Sequence, residues 1–572
     1  MPGAAVACFL ALLVAGLVIR NDSWIYTQIG WLDPWTYVGF GYDYGHPRFD
    51  ADDYKLGRLP WILAEFYARH VFDPVASQYV LQLGSLLAQG WFFYLALERL
   101  LGMVPAVVGA AFLITLPFIH GSGGADYNNT PSGLLYALSF YLLTVAAPSS
   151  RPVWPMLFGI CLGLLLHTNI LYLNLSVPLV MHFAILRWRE SELMRPRSIL
   201  IFCTLALSGA VAVTVLLCFV NWAYGREWLF FAFFVKMAAG YLVDTSSQQV
   251  WWQPWSNEWY SRAVYVGVLS AGAVVAAVLI LLACFKRGNP AARFQIVNLA
   301  GQYISVCAIW IFWQTIGHTA LQPDYYAYPL FIPSACVVSS VVAFSPEPKP
   351  RVNIIILAAI IGFAAIMPYS SHWPIKDPIG DSYQSLGLYL AIFVVGLLLM
   401  SLSARVGVCV FALLLGPANA WVNQNDVHYR RAACTDRRDA QLALIAAHNT
   451  VASIDPDFSR DVYVWRHPDG DNAISVSTCS LVPERFIDDS LSWSGWHYLD
   501  NARPFKPVIS EISAERLRDV IHQDPIIVMV TEFPQIADQL RERFADLGWQ
   551  FGPTQQIRIN QGAVNFSLLI LK

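Results

Sequence analysis

Charge is what this sequence has least of. Only 13% of its 572 residues are Asp, Glu, Lys or Arg, about half the share usual in a soluble globular protein. The 36 basic and 39 acidic side chains nearly cancel, to a net −3, and no basic tract interleaves with aromatics, which sets nucleic acid aside as a partner. No Gly-rich loop follows a strand before the C-terminal region, so a nucleotide-binding site of Rossmann or P-loop type is excluded there. Repeats of solenoid period and low-complexity tracts are absent too. Eight of the ten cysteines lie in apolar segments, leaving Cys434 and Cys479 in polar sequence. An oxidising compartment permits a disulfide between them, and two thiols that never meet fit equally well.

What is present is apolar. Hydrophobic residues make up 56% and aromatics 14%, with a mean hydropathy of +0.48. This composition predicts a polytopic α-helical membrane protein. Runs of bilayer-spanning length predict about 13 transmembrane helices, near residues 3–19, 78–97, 102–119, 132–147, 154–169, 170–186, 199–222, 263–285, 295–316, 326–344, 353–368, 386–402 and 406–421. The first has no basic start and no clear cleavage site, which favours a helix, with a signal peptide as the alternative. Positive charges gather after even-numbered spans, in "RWRESELMRPR" (Arg187, Arg189, Arg195, Arg197), "KRGNPAAR" (Lys286, Arg287, Arg293) and "KPR" (Lys349, Arg351), and at Arg405. That places the N-terminus in the cytoplasm and, with an odd span count, the C-terminus outside.

Residues 1–421 therefore form a membrane domain with large outward loops at 20–77 and 223–262. Residues 422–572 are expected as an extracytoplasmic soluble α/β domain. Strands are read in "DVYVW", "IIVMV" and "VNFSLLILK", and helices in "SAERLRDVI" and "PQIADQLRERFADLG".

The first outward loop carries the densest chemistry. "RNDSWIYTQIGWLDPWTYVGFGYDYGHPRFDADDYKLGRLPW" holds Asp22, Asp33, Asp43, Asp50, Asp52 and Asp53 beside His46, Arg48, Lys55 and Arg58. A loop of this length between spans carries structure or function of its own. The aromatics of "SWIY" and "PWTY" suit a headgroup belt, or flat faces for a sugar ring or prenyl chain. A carboxylate at Asp33 among apolar rings needs a partner or a task, and Asp-Pro is also a good helix start. The acids of "FDADDYK" read as a solvated turn, since no second set of oxygen ligands marks a metal site. In the loop at 223–262, a helix lying in the interface leads to Trp251, Trp252, Trp255 and Trp259, read as a membrane belt.

An aspartate behind the first span, an aromatic shortly after it, and a basic, proline-containing entry to the second span resemble the GT-C class of membrane glycosyltransferases. "LDPWTY" with "YKLGRLPW" is similar to the first outward loop of the protein O-mannosyltransferase and lipid A aminoarabinose transferase branch. "HGSGGADYNNTPSGLLYALSFYLL" resembles the second outward loop with its own acid, Asp126. "GICLGLLLHTNILYL" resembles the fifth span, with His167 where relatives carry a basic residue. "GHTALQPDYYAYPLFIPS" resembles a late segment in which an Arg-Tyr pair is common; here Asp324, Tyr325 and Tyr326 stand in that region, and Asp33-Pro34 replaces the usual acidic pair.

The resemblance implies a polyprenyl-phosphate sugar donor, a glycan, lipid or protein acceptor, and inversion without a covalent enzyme intermediate. Membrane lipids are the remaining partner. No resident cofactor is implied, and relatives occur both with and without a divalent cation. Such a site needs a base, cations for the departing phosphate and an apolar groove. Asp33 is the expected base, with Asp22 as runner-up; Asp126 orients the acceptor, shares a metal, or simply shapes a Gly- and Asn-rich turn. Arg58 is the expected phosphate ligand, assisted by Lys55 and His318. Tyr37, His167, Tyr325 and Tyr326 are the substrate-binding candidates, His167 being equally readable as a neutral ring bonded within the bundle. A secondary transporter and a non-catalytic subunit of an envelope-glycan complex are the competing readings. The acids gather in loops rather than mid-span, which disfavours transport; a scaffold would tolerate Asn at position 33.

Overall fold

The computed structural model describes residues 2–18, 22–27, 32–46, 54–115, 127–149, 151–190, 196–233, 235–236, 263–285, 290–315, 328–344, 437–457, 459–464, 526–531, 555–559 and 564–570, with isolated helical positions at 538, 541, 542 and 545. Ten of the expected spans are helices: α1 (Pro2–Val18), α4 (Pro74–Leu101), α5 (Met103–Thr115), α6 (Asn129–Ala146), α7 (Val153–Thr168), α8 (Leu173–Glu190), α9 (Pro196–Ala223), α10 (Ala263–Phe285), α11 (Pro290–Thr315) and α12 (Tyr328–Phe344). The last three expected spans lie outside the described residues.

Local chemistry sets several of the ends. Asp73 Oδ1 accepts from the backbone N–H of Val75 and Ala76, each at 2.9 Å, and Pro74 opens α4, which therefore starts earlier than its apolar run. A π turn over Tyr79–Gly84 interrupts α4, and Gly102, at φ 89°, lets the chain reverse into α5. Between α7 and α8 the chain breaks at extended Asn169 and passes through a 3-10 turn, Ile170–Tyr172.

Small residues bring backbones together. A Cβ on Gly159 would collide with the Ala206 carbonyl, and one on Gly209 with that of Met156, so α7 and α9 meet main chain to main chain. The outer side of α9 exposes Leu200, Leu207, Val211, Leu216 and Phe219, each more than 50% accessible. An apolar face of that size belongs in lipid. The chain is a helical membrane protein.

Between α1 and α4 lie two shorter helices, α2 (Leu32–Asp43) and α3 (Leu59–Val71), the latter entered through a 3-10 turn, Tyr54–Arg58. Tyr26, Trp35 and Tyr37 are wholly buried in protein here rather than set in a headgroup belt. The belt and a loop core draw on the same residue types, so composition alone did not separate them. Trp24 is half-buried, its indole N–H reaching the Leu17 carbonyl at 3.4 Å. After α9, Trp228, Leu229, Phe233 and Val235 are exposed, while Trp251, Trp252, Trp255 and Trp259 fall outside the described residues.

Near the C-terminus, α13 (Arg437–Ile454) packs on a four-stranded sheet, β1 (Val462–Val464), β2 (Ile526–Thr531), β3 (Gln555–Ile559) and β4 (Val564–Ile570), in the order β1-β2-β4-β3. The β1–β2 pair is parallel, Val462 opposite Ile526; the other two pairs are antiparallel, Val528 opposite Ile570 and Ile557 opposite Phe566. The helix read at 513–521 lies outside the described residues.

Candidate active site

Pro34 stands in the first turn of α2, where its missing N–H costs nothing, and the helix then buries nearly every side from Trp35 to Phe40. It lies tightly on α3: a Cβ on Gly41 would come within 2.8 Å of Arg69 Cδ and 3.1 Å of Glu65 Cβ. Asp33 is the second residue of α2. Helical periodicity sets positions 33, 36 and 37 on one face.

That face receives two cations from the turn before α3. Lys55 Nζ donates to Thr36 Oγ1 at 3.3 Å, with Lys55 only 6% exposed. Arg58 donates from Nη1 to the Tyr37 hydroxyl. Its guanidinium lies 5.5 Å from the Tyr37 ring centre and 5.7 Å from that of Tyr127, and the two rings meet edge to face at 6.3 Å. Tyr127 immediately follows Asp126 and is held in place by its neighbours. Asn128 Nδ2 donates to the Thr168 carbonyl, and Asn169 Nδ2 to Asn129 Oδ1 at 3.3 Å. The start of α6 is thereby tied to the end of α7. Around these groups Phe40, Leu56, Leu59, Val213, Leu217 and Phe230 form an apolar wall.

His167, at the end of α7, lies against that wall, 5.0 Å from the Phe230 ring and 5.6 Å from Phe231. Its Nε2 is 2.8 Å from Thr214 Oγ1, and that hydroxyl donates to the Ala210 carbonyl at 2.9 Å. Oγ1 is then an acceptor toward His167, so the neutral ring carries its proton on Nε2 and has Nδ1 as acceptor.

Asp22 belongs to a different cluster. Its Oδ2 accepts from Tyr79 Oη at 2.7 Å and pairs with Arg438 Nη1 at 2.8 Å. Burial lowers the Arg438 pKa, and the Asp22 carboxylate together with Tyr26, Tyr79 and Asp439 outweighs this, leaving it raised. Asp126, His318, Tyr325 and Tyr326 lie outside the described residues, as do the acids at 50, 52 and 53. Among the described residues no three His, Cys, Asp or Glu side chains converge as for a metal ion.

Two further ties, unmarked by any sequence motif, brace this loop. Glu65 Oε2 and Arg69 Nε pair at 3.3 Å with both side chains at 0% exposure, and Arg69 Nη2 also reaches Gln78 Oε1 at 3.4 Å. Gln78 donates in turn to the Ile25 carbonyl. At the other end of α2, Arg226 donates to the Tyr44 carbonyl and, at 3.2 Å, to that of His46, with its guanidinium 4.8 Å from the Tyr44 ring. Tyr44 Oη donates to Asn221 Oδ1 at 2.8 Å, and burial raises the Tyr44 pKa so that it stays a donor.

No family model and no curated protein sequence matches the chain. Among solved structures it is similar to ArnT from Cupriavidus metallidurans bound to undecaprenyl phosphate, at 13% identity and a TM-score of 0.53, covering 100% of this chain and 98% of that one. The Archaeoglobus fulgidus oligosaccharyltransferase tethered with an acceptor peptide follows at 12% identity and a TM-score of 0.43, covering 99% of this chain and 74% of that one. At such identities the likeness speaks for architecture, and with the order of elements described above it shows that this chain has the GT-C fold.

Proposed function

We propose that the chain is an inverting glycosyltransferase that moves a sugar from a polyprenyl-phosphate donor to an envelope glycan, lipid or protein acceptor on the outer side of the membrane. The observation that carries the reading is the placing of Lys55 and Arg58 on the α2 face that begins at Asp33, in a fold shared with a protein bound to undecaprenyl phosphate.

The chemistry follows from charge. As the bond from the sugar's anomeric carbon to the phosphate oxygen breaks, its electron pair stays on phosphate, and two cations held by packing stabilise that charge without having to reorganise. Arg58 offers forked donors, and Lys55 supplies a point charge from a site that excludes most water. Asp33 takes the proton of the acceptor hydroxyl as its oxygen bonds to the anomeric carbon from the opposite side, which inverts that centre and releases polyprenyl phosphate. Tyr37 and Tyr127 hold Arg58 in register. Asp126 orients the acceptor or shares a divalent cation, His318 assists at the phosphate, and His167, Tyr325 and Tyr326 line the substrate groove. The setting we propose is a bacterial inner membrane, with a cytoplasmic N-terminus and residues 422–572 in the periplasm.

The test is mass spectrometry of envelope glycans from a strain lacking the gene, complemented with wild type or Asp33→Asn at matched expression. Wild type should restore a missing sugar increment and Asp33→Asn should not. Equal restoration by both would remove Asp33 from the role of base.

A further inference from the structure

The polar face of α13 packs on other protein for most of its extent: Gln441 and His448 are buried and Arg438 is partly so. Arg438, Gln441 and His448 fall on one side of the helix, and Ala443, Leu444, Ala447 and Val451 on the other. The apolar side is buried, with α13 packed on the sheet. The polar side reaches the first outward loop at three points. Arg438 Nη1 pairs with Asp22 at 2.8 Å, Gln441 Oε1 accepts the Thr27 backbone N–H at 2.6 Å, and His448 Nε2 lies 3.2 Å from Asp43 Oδ1. His448 and Asp43 are 4% and 3% exposed, and the His448 ring lies 6.0 Å from that of Tyr42.

The placing of these contacts matters more than their number. Asp22 and Thr27 precede α2, and Asp43 is its last residue, so α13 grips the segment on both flanks of Asp33. Arg58 and Lys55 meet that helix at Tyr37 and Thr36, while α13 meets its last residue, Asp43, and the chain ahead of it at Asp22 and Thr27.

We propose that Arg438 and His448 are positioning residues: acting through Asp22 and Asp43, they make α13 a clasp that fixes α2 and with it the base at position 33. This also assigns Asp22 to fastening rather than to proton transfer. The catalytic consequence rests on the glycosyltransferase reading; the clasp itself does not. Displacing a reacting group by about 1 Å costs on the order of 100-fold in rate, so loss of the clasp should be felt at a site its residues never touch.

The experiment uses the full-length protein in detergent and the same complemented strain. Hydrogen exchange over residues 32–43 is compared in wild type, Arg438→Gln, His448→Leu and the exchanged pair Asp22→Arg with Arg438→Asp. The single substitutions should speed exchange in α2 about tenfold, with the spans unaffected, and should lower the sugar increment at least as much. The exchanged pair should restore both, which separates a lost pairing from general misfolding. Unchanged exchange in both single variants would overturn the clasp. Faster exchange with a full sugar increment would overturn its positioning role. If wild type itself restores no sugar while the singles still loosen α2, the glycosyltransferase reading falls and the clasp stands.

Discussion

Arg69→Met offers the sharpest test of how the outward loop is held. At 3.3 Å, with neither side chain accessible, the Glu65–Arg69 pair is worth about 5 kcal/mol of attraction at an effective dielectric of about 20. Burying the two ions offsets most of this. The single variant gives up the attraction and keeps the burial of Glu65, for a loss of about 3–5 kcal/mol. It also forfeits the bond to Gln78 and the contact with the Tyr42 ring, 5.4 Å from the guanidinium. The double variant Glu65→Leu with Arg69→Met removes both charges, so it should recover all but about 1–2 kcal/mol, the share of those other contacts. Equilibrium SDS titration of the detergent-solubilised protein, followed by tryptophan fluorescence, reads both values. A single variant within about 1 kcal/mol of wild type, or a double variant no better than the single, would refute the reasoning from a buried, uncompensated carboxylate.

Three other outcomes are expected. Arg58→Ala should weaken binding of undecaprenyl phosphate by about 10- to 100-fold in a titration with the purified protein, and Arg58→Lys should recover part of it, because an ammonium lacks the fork that meets two phosphate oxygens. Gly159→Leu should abolish a monodisperse peak in size-exclusion chromatography, since the side chain would have to enter the Ala206 main chain of α9. Asn221→Leu should destabilise by about 1–3 kcal/mol in the same SDS titration, because it removes the acceptor of the buried Tyr44 O–H and also the 2.6 Å bond to the Glu227 carbonyl.

The ten expected spans that fall in the described residues were legible as helices because lipid demands long apolar runs. The helix start at Asp33-Pro34 was equally legible, being local. Lys55 and Arg58 could be singled out as candidate phosphate ligands from the motif, but where their side chains sit could not. Tyr127 lies 69 positions beyond Arg58, and only the tie between the start of α6 and the end of α7 brings it over the guanidinium. The same holds for Arg438 and His448, whose partners Asp22 and Asp43 stand some 400 residues away. That Tyr26, Trp35 and Tyr37 are buried in protein could not be read from composition, because burial in a loop and burial in headgroups call for the same side chains.

The hydroxyl of Thr214 carries a lesson about selectivity. By accepting the Nε2–H hydrogen bond and donating its own O–H to the Ala210 carbonyl, it leaves Nδ1 of His167 as a lone-pair acceptor. Such a nitrogen repels the oxygens of a phosphate and welcomes an O–H. On the proposed function, that acceptor suits the hydroxyls of a donor sugar and Arg58 suits its phosphate, so one hydrogen bond in the bundle would set which way the donor lies.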